Sequence, residues 1–159
     1  MKNFIKILLI SFVFTSCLNS NKNEAVATEK KTIVNVSDII GKDQTEIEKI
    51  LGKPDNLEMV KPSNTPCENK PCEKANYQSD KFEIVFINGK ADWITINKLS
   101  ENEINNENIE LLGLKSAEPS FDNPGNVKKW NNIENIKEIS VFDNGSGKID
   151  YIYIKALTE

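Results

Sequence analysis

The chain has 159 residues, with 20 lysines against 24 acidic residues, no arginine, no histidine and a net charge of −4. Nucleic acid is a poor partner for it, because no basic patch is present to neutralise a run of phosphates. Missing histidine removes the ordinary neutral-pH base and the commonest metal ligand, and missing arginine removes the bidentate fork for carboxylate or phosphate.

At the start, Lys2 and Lys6 form a basic opening and Ile5 to Phe14 an apolar run. The run has the length of a signal-peptide core and is too short to span a bilayer as a mature helix. It ends at Phe14-Thr15-Ser16-Cys17. Small residues directly before a cysteine, at that place, resemble the lipobox of bacterial lipoproteins, although Phe14 departs from the usual aliphatic residue. The resemblance implies removal of residues 1–16, diacylation of Cys17 and a membrane partner reached through that lipid anchor. Loss of Lys2 and Lys6 leaves 18 lysines against 24 acidic residues, a net charge of −6. Residues 17–36 then comprise the lipidated cysteine and a polar, aperiodic tether.

Residues 37–99 are expected to form a first unit of one short helical segment and an antiparallel sheet. Its helix runs from Asp43, an N-cap with Glu46 placed for a capping box, to Gly52, a stop reinforced by Pro54. Ile47, Ile50 and Leu51 are spaced as an apolar stripe. Cys67 and Cys72 sit in a turn-rich segment with Pro66 and Pro71. In an oxidising envelope they read as a small disulfide loop, with metal or redox work as the alternative. Strands follow at Ala75 to Gln78, Phe82 to Ile87 and Ala91 to Ile96, the last two joined by Asn88-Gly89, a pair suited to a two-residue type I′ turn.

The second half, residues 100–159, repeats this order. Glu110-Leu111-Leu112-Gly113 stands where Lys49-Ile50-Leu51-Gly52 stood, and Lys129-Trp130-Asn131 where Asn76-Tyr77-Gln78 stood. Ile139 to Phe142, Asn144-Gly145 and Asp150 to Ile154 then match the middle strand, its turn and the last strand. The glycines are 61 residues apart and the last strands 58, so loop lengths differ while element order recurs. The fold class expected is therefore α+β, in two tandem units, each a short helical segment on a three- to four-stranded antiparallel sheet.

Gly41, Ile47, Leu51, Gly52, Pro54, Tyr77 and Phe86-Ile87-Asn88-Gly89-Lys90, at these spacings, resemble the family of small outer-membrane lipoproteins that includes BamE (SmpA/OmlA). A duplicated form of the same fold is that of beta-lactamase inhibitor protein, which the tandem resembles in architecture. The resemblance covers residues 39–98 well and 103–157 weakly, and its residues are mostly structural. It implies an envelope protein anchored at the outer membrane.

No catalytic constellation is evident, since serines and carboxylates lack a recognisable setting. Asp143 to Asp150 has the look of a calcium loop but lacks its alternating carboxylates, and reads as a hairpin turn. No cofactor or metal is expected. In the last strand of each unit Ile94 and Ile96, like Ile152 and Ile154, share one face, and Trp93 and Thr95, like Tyr151 and Tyr153, share the other. If the isoleucines lie under the helices, the four others form a partner-binding surface; the competing reading packs them between the units. The function expected is a non-enzymatic binding module for an unidentified envelope protein, in outer-membrane assembly or envelope maintenance. The alternative is an inhibitor or immunity-type lipoprotein that blocks a hydrolase or toxin with its sheet face.

Overall fold

The computed structural model describes residues 31–61, Cys67 and residues 72–157. The signal segment, Cys17 and most of the tether lie outside the described residues.

Helix α1, Gln44–Leu51, is built as its sequence punctuation requires. The Asp43 carboxylate accepts the Glu46 N–H at 2.9 Å, and the Glu46 carboxylate accepts the Asp43 N–H at 3.1 Å. That first bond holds the Asp43 carboxyl below its usual range. Gly52 ends the helix at φ +87°, where a side chain would be strained. Ile47 and Leu51 are buried, but Ile50 is 46% exposed, which corrects the expected three-residue stripe. A helix this short rests on a narrow line, and Ile50 lies about 100° round from Leu51, on its flank.

Among the described residues eight strands form one antiparallel sheet: β1 Asn56–Val60, β2 Cys72–Tyr77, β3 Phe82–Ile87, β4 Lys90–Ile96, β5 Phe121–Asn123, β6 Val127–Ile133, β7 Ile136–Asp143 and β8 Ile149–Ala156. Their order is β1-β2-β3-β4-β8-β7-β6-β5, so each half supplies four strands and β4 joins β8 at the centre. The arrangement is α+β. Strands β1 and β5, absent from the sequence reading, are the two edges. Asn88 and Gly89 both take positive φ, +54° and +74°, as a type I′ turn demands. Asn144-Gly145 does not make the equivalent tight turn. Residues 144–148 form a longer loop, in which the Asp143 carboxylate accepts the N–H groups of Gly145 at 2.7 Å and Gly147 at 3.0 Å.

One face of the sheet is covered. Ile94, Ile96, Ile152 and Ile154 are fully buried there with Ile47 and Leu51 of α1, Val36 and Ile39 from the 3-10 turn Val36–Asp38, and Ile109 and Leu112 from the 3-10 turn Asn108–Leu112. Trp130, 1% exposed, joins this core and donates its indole N–H to the Ala117 carbonyl at 2.7 Å. The tether was expected to reach residue 36, yet Val34 and Val36 are core residues and the Ile33 N–H donates to the Leu111 carbonyl at 2.8 Å. Their apolar side chains repay the ordering of that backbone, so the fold begins by Ile33.

Candidate functional site

Strand alternation sends the residues between the core isoleucines to the opposite face of the sheet. On β4 these are Trp93 and Thr95, and on β8 Tyr151, Tyr153 and Lys155, all half-buried rather than covered. The pairing register carries one row across all eight strands: Asn56, Asn76, Glu83, Thr95, Tyr153, Ser140, Lys129 and Phe121. A second row, Glu58, Lys74, Val85, Trp93, Lys155, Glu138 and Asn131, lies beside it.

At the centre Trp93 meets Tyr153 edge-on, with ring centroids 5.1 Å apart. The Lys155 ammonium stands 4.7 Å above the Trp93 ring. Such contacts fix the orientation of large side chains that a helix layer does not hold. Phe142 stacks on Tyr151 at 4.4 Å and extends the aromatic surface toward the second half.

Burial, with the neighbouring carboxylates Glu138 and Asp92, raises the pKa of the Tyr153 hydroxyl well above its ordinary value. Asp92 is the extra residue in β4 at the irregularity opposite Val85 and Phe86, and is itself buried. Glu138 accepts from the Ser140 hydroxyl at 2.7 Å and the Lys129 ammonium at 3.1 Å. Its burial favours the neutral acid, but these two donors outweigh it and the carboxyl pKa is lowered. Toward the other edge, hydrogen bonding to Glu58 holds the Lys74 pKa up against its partial burial, and Glu83 lies 3.5 Å away. The open face is thus an aromatic centre between two ordered ion-pair groups.

Cys67 and Cys72 are joined, with Cα atoms 5.8 Å apart. Their sulfurs lie on this face. Both cysteines pack with Val85 in a small apolar cluster that touches Val60, Ile87 and Trp93. The bridge therefore forms one wall of the aromatic centre as well as closing a short loop.

All four residues expected on the sheet face, Trp93, Thr95, Tyr151 and Tyr153, are brought together there. The lipidation site Cys17 lies outside the described residues. Lys155, Phe142, Glu138 and Ser140 were missed; Lys155 was within reach, since it continues the period-two series of Tyr151 and Tyr153. Among the described residues no group of three or more Cys, Asp or Glu side chains is arranged to hold a metal ion. No helix among them is long and apolar enough to cross a membrane. Comparison with family models, with curated proteins and with solved structures gave no match.

Proposed function

We propose that this chain is a lipid-anchored, non-enzymatic binding module of the cell envelope, held at the outer membrane through Cys17. It captures an envelope protein on its open sheet face, in outer-membrane assembly or envelope maintenance. The observation that carries the reading is the continuous row from Asn56 to Phe121, with Tyr153 at its middle between Trp93 and Tyr151 of the flanking rows, and with no helix above it among the described residues. Aromatic side chains held by neighbours bury much area at small entropic cost, the quality expected of contact hot spots. The first described residues pack on the helix-bearing side, where the Ile33 N–H donates to the Leu111 carbonyl, and not on the aromatic face.

The chain is further read as a tandem duplication of residues 37–99 and 100–159, each unit being a helical segment and four strands. Equivalent residues support this: Thr95 and Tyr153, matched at the offset of 58, pair with one another, and Tyr77 and Trp130, also matched, occupy the same register beside Phe82 and Ile139. A two-fold repeat that meets itself along its last strand doubles the width of one face without a new edge at the join.

Pull-down from detergent-solubilised envelopes tests the reading. Components of an outer-membrane assembly machine, retained by the native chain and lost with Trp93→Ala and Tyr151→Ala, are the expected result. A single soluble hydrolase or toxin retained instead would favour an inhibitory or immunity role for the same face. Retention unaffected by both substitutions would contradict the face.

A further inference from the structure

The outer edge of β1, unpaired among the described residues, is a feature that the proposed face does not use. Leu57 and Met59 lie on the helix-bearing side of β1 and are 46% and 64% exposed. Their neighbours on that side are Ala75 and Glu73, and Glu73 in turn pairs with Phe86. Met59, Glu73 and Phe86, with Cys72, Asn88 and Gly89, line an open cleft of 260 Å³. Among the described residues, no backbone hydrogen bond joins residues 57–60 to anything but β2.

Edge strands are ordinarily blunted by proline, bulges, brevity or an inward charge. The opposite edge, β5, has only three residues and is followed directly by Pro124. β1 has five, with an apolar pair at alternate positions and with its lysine and proline, Lys61-Pro62, only beyond its last residue. Charge supplies the second observation. Lys74, next to Glu73 in sequence, has two carboxylate partners on the other face, whereas Glu73 has no cation within salt-bridge distance among the described residues.

We propose that β1 is a strand-addition site for an extended segment of a partner protein that carries an apolar residue opposite Leu57 and a lysine or arginine opposite Met59. Adjacent strands lie about 4.8 Å apart, so an added residue opposite Met59 is about two spacings from Glu73, within reach of a long side chain. Its aliphatic stem lies across Met59 and its charged head meets the Glu73 carboxylate at the cleft. Main-chain bonds to β1 supply affinity, and the side chains in the cleft supply selection.

The test uses the full chain in detergent micelles and a fluorescein-labelled peptide, Val-Thr-Lys-Thr-Val-Thr-Val, beside the same peptide with glutamate replacing lysine. Fluorescence anisotropy should show saturable binding of the lysine peptide, weaker by about tenfold or more for the glutamate peptide. Hydrogen exchange should slow at residues 57–60. Glu73→Gln should erase the preference between the peptides, while Lys137→Ala, at an exposed position of β7 in the other half of the sheet, leaves it unchanged. Absence of saturable binding, equal affinity for the two peptides, or protection of residues 57–60 by the protein's own concentration without peptide would each overturn the proposal.

Discussion

Thr95 and Tyr153 stand directly opposite one another on β4 and β8, at the centre of the sheet. Ile94 and Ile96 pair with Ile154 and Ile152 on either side, and all four isoleucines are fully buried. The same seam therefore joins the halves on the open face and in the core. A chain ending at residue 99 would expose the β4 edge and strip half of the core, so it should not fold. Dispersed amide resonances from that fragment would contradict the shared core.

The two tryptophans should respond unequally to truncation. Trp130 is a core residue, and Trp130→Ala should cost about 3 to 5 kcal/mol, the range for large buried aromatics. Trp93, only half-buried, loses one edge-on ring contact and one cation contact, together about 1 to 2 kcal/mol, besides its packing on the Val85 cluster, and Trp93→Ala should cost less than Trp130→Ala. Thermal melts of the two variants check this; an equal loss would make Trp93 a core residue.

Gly113 marks where the start of the fold meets the second half. It has φ +74°, and a Cβ there would come within 2.5 Å of the Asn35 side-chain oxygen. Gly113→Ala should destabilise the chain by about 1 to 3 kcal/mol, through left-handed strain and displacement of Asn35. Faster proteolysis near residue 33 should accompany the loss, and an unchanged melt would argue against that packing.

Reducing the Cys67–Cys72 bridge should do two things. In the chain-entropy model a loop of this length contributes about 2 kcal/mol of stability. Because the bridge belongs to the apolar cluster that Trp93 packs against, Trp93 fluorescence should shift on reduction, ahead of global unfolding. Reduction that leaves Trp93 emission unaltered would separate the bridge from the open face.

Alkaline titration reads the buried phenols. Burial first, then nearby Glu48, pushes the Tyr77 pKa up to about 12, and burial with Glu138 and Asp92 raises that of Tyr153. Raised folded-state values mean that stability is level below the unfolded pKa near 10 and falls as pH rises beyond it. Absorbance at the phenolate band should therefore climb with loss of structure. Full ionisation of the tyrosines near pH 10 with the fold intact would contradict their burial.

The helix was legible because its instructions are local: Asp43, Glu46 and Gly52 act within a turn of themselves. The central strands were legible because Ile94, Ile96, Ile152 and Ile154 alternate cleanly with polar or aromatic residues. β1 and β5 were not, since edge strands exposed along most of their length carry little burial pattern. Ile50 was misplaced because helical spacing gives a stripe but not its width. The aromatic face was readable as a set of residues, while its neighbours Ser140 and Glu138 depend on pairing between β7 and β8, which period alone does not specify.

Site-specific photo-crosslinking in intact cells tests the open-face account most directly. A photoreactive residue replacing Thr95 sits in the middle of the row, and one replacing Lys49 sits on the exposed side of α1. The account predicts a discrete adduct with one envelope protein from position 95 and none from position 49. An adduct from position 49 with none from position 95 would contradict it.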